Sequence, residues 1–280
     1  MSLNGRVMFM SGGSRGIGLA IAVRAARDGA KVALMAKTAE PHPKLSGTVF
    51  TAAEEIEAAG GEALPIVGDI RDADAVEAAA AQTAERFGGI DLVVNNASAI
   101  NLAPMRDLPV KRFDLMQQIN ARGTFVVSQA CLPYLRESSH AHVLSLSPPL
   151  SADPRWLPGH SAYTLSKMGM TMITLGLAAD EAEAGIAGNC LWPRTIIATA
   201  AVQNLLGGDE AMARARTPEI MADAAHAVLV RNPRECTGNA FIDDEVLAEA
   251  GITDLDGYSA EGAELALDIF VDGWPEGAPV

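Results

Sequence analysis

Short apolar runs recur along the chain, separated by longer stretches in which apolar residues, many of them Ala, return every three or four positions. The runs Val7–Met10, Val32–Ala36, Ala63–Val67, Leu92–Asn95, His142–Leu146, Gly188–Trp192 and Phe241–Ile242 predict strands. The early runs are apolar almost throughout, as strands buried on both faces are. Helical spacing predicts helices over Gly16–Asp28, Ala52–Ala59, Ala73–Phe87, Arg112–Leu135, Tyr163–Glu183 and Pro218–Val230, with Asp or Pro at several starts and Gly soon after several ends. The alternation predicts an α/β fold, a doubly wound parallel sheet of about seven strands with helices on both faces. No repeat or low-complexity linker divides the chain, so residues 1–280 are expected to form a single domain, with a core over 1–250 and a C-terminal extension over 251–280. Two segments break the rhythm: the long connection Thr38–Thr51, with Pro41-His42-Pro43, and an acidic tail, Gly251–Val280. Long connections in such folds often shape a ligand site.

Composition then narrows the partners. Apolar residues make up 49% of the chain and aromatics 5%, which suits Ala-rich helices packed on Val/Ile/Leu strands. The formal net charge of −14 repels nucleic acid and anionic membranes at long range, leaving a local basic pocket as the place for an anion. Cys131, Cys190 and Cys236 are far apart and lack paired metal-ligand spacing, so no metal is expected and a reducing compartment fits. No apolar stretch reaches the roughly 18 residues of a membrane span. With no leader pattern at the start and no address at the end, the expected location is cytoplasmic.

Ser11-Gly12-Gly13-Ser14-Arg15-Gly16-Ile17-Gly18 follows the first strand and opens the first helix, where a dinucleotide pyrophosphate meets a helix N-terminus. Gly12 would make the tight turn, Gly16 would let backbone N–H groups approach phosphate, and Gly18 would let the helix pack on the strand. Ser11, Gly12, Ser14, Arg15, Gly16, Ile17 and Gly18 are therefore candidate cofactor contacts in a Rossmann-type fold. At the end of the second strand, Leu34-Met35-Ala36-Lys37-Thr38 lacks the carboxylate that would accept from a ribose 2′-OH. Arg15 and Lys37 would instead attract a 2′-phosphate, which predicts NADP in preference to NAD. Asp69-Ile70 and Asn95-Asn96-Ala97-Ser98 close the next two strands at the ligand-binding edge. Asp69 is a candidate acceptor for the adenine amino group, Asn95 a brace between strand turns, and Ile70, Asn96 and Ala97 neighbours of the cofactor. Turn or capping roles fit Asn96 and Ser98 equally well.

Tyr163-Thr164-Leu165-Ser166-Lys167 puts a phenol and an ammonium four residues apart, on one helix face. A free tyrosine titrates near pH 10 and needs a nearby cation to act as a base at neutrality. Such a pair also occurs by chance on surface helices, so the spacing alone decides nothing. In combination, the glycine-rich turn, the Asn-Asn-Ala turn, Asn120 in a helix and Tyr163-x-x-x-Lys167 resemble, in that order, the short-chain dehydrogenase/reductase family over essentially the whole chain. The segments Ala36–Lys44, Asn95–Ile100 and Ser147-Pro148-Pro149 narrow the resemblance to a branch implicated in lipid metabolism. The resemblance implies that Tyr163 donates or accepts the proton, that Lys167 lowers its pKa and holds the nicotinamide ribose, and that Asn120 serves a proton relay. It also implies that the backbone at Pro193-Arg194-Thr195-Ile196 meets the nicotinamide carboxamide, making Pro193, Thr195 and Ile196 cofactor contacts. Arg194 stands there in place of the family's glycine.

The largest departure is at the fifth strand. The family carries a substrate-binding serine 13 residues before the tyrosine, and here that position is Leu150. Aligned without a gap, Pro148 falls on the serine site, and it has no donor to offer. Ser147 is the expected replacement, with Ser151 the alternative. The leading expectation is therefore hydride transfer between NADP(H) and a hydroxyl or carbonyl carbon of a small, apolar or lipid-like substrate. The alternatives are a non-redox relative, such as an epimerase or dehydratase, and a nucleotide-binding module with weakened chemistry. Ala99–Pro109, Pro148–His160 and Ile196–Glu219 are expected to line the pocket, with Leu150, Trp156, Leu157, Leu205 and Leu206 as apolar candidates. By resemblance, the helices around Arg112–Leu135 and Tyr163–Glu183 would pair subunits into a homodimer or homotetramer.

Overall fold

The computed structural model describes residues 2–41 and 47–274. His42, Pro43 and Lys44 of the long connection lie outside them. The strands are β1 (Val7–Ser11), β2 (Lys31–Ala36), β3 (Glu62–Val67), β4 (Leu92–Asn95), β5 (His142–Ser145), β6 (Ala187–Trp192) and β7 (Ala240–Ile242). They pair in the order β3-β2-β1-β4-β5-β6-β7, every pair parallel. The strand order reverses between β1 and β4, which opens a crevice at the carboxyl ends of the strands.

Side chains along the central strands alternate between two apolar layers, as the two-residue period of a strand requires. Met8, Met10, Val32, Leu34, Leu92 and Val94 face one layer, formed with α1 (Gly16–Ala26), α2 (Val49–Ala58) and α8 (Glu219–Leu229). Phe9, Ala33, Met35, Val93 and Val143 face the other, against α3 (Ala73–Phe87) and α5 (Ala121–Leu135). Both layers are dry, which is why these strands read as continuous apolar runs.

Four features differ from the expectation. Helix α2 starts at Val49 rather than Ala52, because Thr48 and Thr51 form a reciprocal capping box, 3.1 and 2.8 Å long. The single helix expected over Arg112–Leu135 is two, α4 (Val110–Ile119) and α5, joined at Asn120, whose ψ of −79° widens the turn beyond α-helical geometry. The chain also forms two short helices that periodicity does not mark, α7 (Gly208–Ala213) and α9 (Asp243–Glu249), besides the long α6 (Ser161–Asp180). Finally, the acidic segment after Gly251 is no solvated tail over its described length. It returns across the carboxyl edge of the sheet, where Phe270 and Val271 are buried with Met116, Tyr163, Met168 and Trp192.

Candidate active site

The first strand-to-helix turn is shaped by its glycines and by the neighbouring turn after β4. Gly12 has φ +76°, and a Cβ there would sit 2.8 Å from Ala97 Cα. A Cβ on Gly18 would meet Asn96 Nδ2 at 2.4 Å. That amide instead donates to Gly12 O at 2.8 Å, and Ser11 Oγ accepts from Ala97 N at 3.3 Å. The two turns therefore hold each other open. Asn95, one residue earlier, braces β4 against α5 and β5 through Ser128 Oγ (3.0 Å) and Ser145 Oγ (3.2 Å).

A cleft of about 1630 Å³ runs from this cradle along the carboxyl edge. Gly12, Ser14, Arg15, Gly16, Ile17, Lys37, Asp69, Ile70, Asn96 and Ala97 line one end, and Tyr163, Lys167, Pro193 and Ile196 the other. Ser11, Gly18 and Thr195 lie behind the wall, where Ser11 and Gly18 shape the turns and the Thr195 hydroxyl is buried without a partner. Arg15 donates to Gly47 O at 2.8 Å, and its Nε is buried without a partner. Lys37 Nζ lies 3.2 Å from Asp69 Oδ2, and the same carboxylate is gripped by Arg71. Arg71 first, then Lys37, holds the Asp69 carboxyl well below the usual carboxylate range. It is therefore an acceptor at any physiological pH.

At the other end, α6 presents Tyr163 and Lys167 on one face. Both are buried, at 5% and 3% exposure, yet both reach the cleft. Burial pushes the Tyr163 phenol far above its usual range, Asp268 adds to this, and the Ser98 hydroxyl beside the phenol opposes it. Lys167 Nζ donates to Leu146 O at 2.8 Å and lies 5.2 Å from the centre of the Trp192 ring. Burial brings Lys167 down to about 7, against an upward pull from Asp268. Asn120 does not line the cleft. Its Oδ1 accepts from Ala99 N at 2.8 Å, and its Nδ2 donates to Ala99 O at 3.0 Å and to Ser166 Oγ at 2.8 Å. This fixes the turn after β4 to the helix that carries Lys167, and the widened backbone at Asn120 accompanies it.

The expectation for Ser147 does not hold. The peptide after β5 turns tightly, with Ser147 N donating to Ser145 O at 2.9 Å, and the side chain points behind the wall. There Ser147 Oγ pairs with Thr171 Oγ1 at 2.9 Å and has no exposure. Ser151 is exposed on the far side and accepts from Asp153 N. The hydroxyl that does reach Tyr163 belongs to Ser98, which lines the cleft. Its signal in the sequence is a side chain where the family's Asn-Asn-Ala turn has glycine.

The apolar wall also differs from the expectation. No residue of 148–160 lines the cleft, and Leu150 and Leu157 are about half exposed, while Trp156 packs on Phe270 with ring centres 5.8 Å apart. The side chains of Leu205 and Leu206 lie outside the described ones. Ile100, Leu102, Met116, Trp192 and Met212 supply the apolar surface, together with Leu267 and Ile269 from the returning C-terminal strap. Phe270, next along the strap, stacks on Tyr163 at 6.2 Å and takes φ +72°, an unfavourable conformation for a phenylalanine that the packing imposes.

Arg194 explains why the strap sits there. It is 5% exposed, and Nε donates to Asp244 Oδ2 at 2.6 Å, NH2 to Glu245 and NH1 to Gly273 O. An arginine in place of a turn glycine thus ties the exit of β6 to the start of α9 and to the strap. Among the described residues no cluster of side chains suits a metal ion, and no helix is long and apolar enough to cross a membrane.

A glycine-lined cradle at the sheet's switch point and a buried Tyr/Lys pair at the end of the same cleft mark the short-chain dehydrogenase class. Residues 6–209 match the family model described as short chain dehydrogenase, and the chain belongs to that family. It is 52% identical over 275 residues to hydroxysteroid dehydrogenase-like protein 2 of Xenopus tropicalis and 50% identical to that of Homo sapiens, covering 98% of this chain. The chain spans 65% of the length of those relatives. A crystal structure of a short chain dehydrogenase from Mycobacterium thermoresistibile superposes with TM-score 0.93 at 59% identity, covering 99% of both chains.

Proposed function

We propose that this chain transfers hydride between NADP(H) and a hydroxyl or carbonyl carbon of a small, apolar or lipid-like molecule, with Tyr163 moving the proton. The observation that carries the reading is the placement of Tyr163, Lys167 and Ser98 in the wall of the cleft that begins at the Gly12–Gly18 cradle. The cradle fits a nucleotide, because Gly12 and Gly18 leave no room for side chains and the buried Arg15 Nε still needs an acceptor. Arg15 and Lys37 would hold a 2′-phosphate, Asp69 the adenine amino group, and the backbone at Pro193–Ile196 the carboxamide. A nicotinamide bound there supplies or takes the hydride. Tyr163 holds the proton at its phenol oxygen, Lys167 stands ready to stabilise the phenolate, and the Ser98 hydroxyl polarises the substrate oxygen. Asn120 holds the turn carrying Ala99 and the helix carrying Lys167 in register, and Ile100, Leu102 and Met116 exclude water from the reacting carbon.

The displaced Ser147 favours a second reading, a nucleotide-binding module with weakened chemistry. Ser98 beside the phenol weighs against it. Exposed Phe125 on α5 and Leu165 and Met172 on α6 support subunit pairing through these helices, which a monomer in light scattering would exclude. The experiment for the main reading is NADPH consumption on a panel of ketones, 3-oxoacyl thioesters and sterols. Tyr163→Phe is expected to lower turnover by at least about 10³-fold, with NADPH affinity within about threefold of wild type. Turnover that survives the substitution would remove Tyr163 from the chemistry.

A further inference from the structure

The strap that returns over the sheet edge brings an ionisable group to the reacting pair. Ile196 N donates to Ala266 O at 3.0 Å, Asp268 N to Arg194 O at 2.8 Å, and Trp192 Nε1 to Ile269 O at 2.8 Å. The first two of these bonds make the antiparallel bridge between Thr195 and Leu267. These clamps lay Asp268 in the same cleft wall as Tyr163 and Lys167. The hydrogen-bond acceptors of Lys167 Nζ are a carbonyl and the Met170 sulfur, and its other neighbour is the Trp192 ring. None of these carries a formal charge.

We propose that Asp268 is the counter-charge of the reacting pair: a positioning residue whose carboxylate keeps Lys167 as an ammonium and Tyr163 as a phenol, biasing the site toward giving a proton, the carbonyl-reducing direction. The inference rests on the oxidoreductase reading above. Its physical basis is the low dielectric of the site, where a single carboxylate raises the proton affinity of every neighbour. It does so for both groups here, pulling Tyr163 and Lys167 upward. Burial in turn pushes Asp268 up to about 7, Asp243 adds to this, and Lys167 opposes it. Arg194 is paired with Asp244 and Glu245, whereas Arg216, 3.9 Å from Asp244, is buried with its Nε and Nη1 unpartnered. Asp243, pushed up to about 7 by its burial, accepts from Arg194 N and Asp244 N.

The test reads Lys167 directly and needs neither substrate nor cofactor. Cyanate carbamylates only the unprotonated amine, so the rate of Lys167 labelling against pH, followed by peptide mass spectrometry, gives its protonation midpoint. Asp268→Asn keeps the shape and removes the charge. It is expected to lower the midpoint by about one pH unit, raising labelling several-fold at neutral pH. Asp268→Ser should act alike. Asp272→Asn, which loosens the same strap at its exposed contact with Arg155, should leave the midpoint in place. An unmoved midpoint in both Asp268 variants, or an equal shift in Asp272→Asn, overturns the proposal. Failure of the oxidoreductase reading would show separately, as turnover that survives Tyr163→Phe.

Discussion

The two ends of the cleft are finished by different means. At the cradle end, the turns after β1 and β4 interlock through contacts among the motif residues themselves: Asn96 to Gly12, Ala97 to Ser11, and backbone where a Cβ would not fit. At the reacting end, the exit of β6 is completed by the strap, whose residues 266–273 are held through β6, Arg194 and α9. A nucleotide presents the same phosphates and rings to every protein of this class, so a cradle built from the motif turns themselves suffices. The substrate end can vary with its covering segment while the cradle stays as it is, and here the covering segment brings both apolar surface and Asp268.

The largest effect expected from this contrast is on stability, at the reacting end. Arg194→Met should cost about 3–5 kcal/mol in urea unfolding, because it leaves Asp244, 9% exposed, without its close cation. Glu245 is more than half exposed and adds little. Amide exchange over 266–273 should accelerate in the same variant, while the turn at Gly12–Gly18 keeps its protection. A loss below about 1 kcal/mol would mean that the strap stays in place without this network, and the contrast would lose its physical cause.

How far each end could be read in advance follows from the same difference. The seven strands were legible because their residues are apolar on both faces, and the cradle because its glycines, helix start and strand end are contiguous. Lys37, Asp69, Tyr163 and Lys167 line the cleft, since their elements aim them there. Ser147 was misread because a single tight peptide after β5 turns its side chain behind the wall, a change that alignment cannot show. The strap was misread as a tail because Asp and Glu normally mark solvated chain. Its apolar run Leu265–Val271, broken by Asp268, is short and set in acidic chain with no regular period, and only its partners on β6 and α6 give it a place. Ser98 was visible as a departure from glycine, but its nearness to Tyr163 depends on how Asn120 holds the following residue, Ala99.

A smaller effect should separate the two serines. Ser98→Ala is expected to reduce turnover about 100-fold, equivalent to about 2.7 kcal/mol of lost transition-state stabilisation, with NADPH affinity little changed. Ser147→Ala should stay within about threefold of wild type, since its hydroxyl meets Thr171 and Cys190 behind the wall. The reverse ranking would return the polarising role to the strand after all and make Ser98 a bystander.

The smallest effect belongs to the cradle end and concerns which cofactor it prefers. Lys37 is 60% exposed and already shares Asp69 with Arg71, so solvent and a neighbouring carboxylate both screen it. Its attraction for a 2′-phosphate is correspondingly modest. Lys37→Asp should weaken NADP binding about tenfold, close to 1.4 kcal/mol, and change NAD binding by less than about threefold. The difference should shrink as salt is raised, because an exposed charge is screened within about 10 Å at 0.1 M. If both cofactors weakened alike, Lys37 would be acting through Asp69 on the shared adenine end, and Arg15, with its buried unpartnered Nε, would be left to carry the phosphate preference alone.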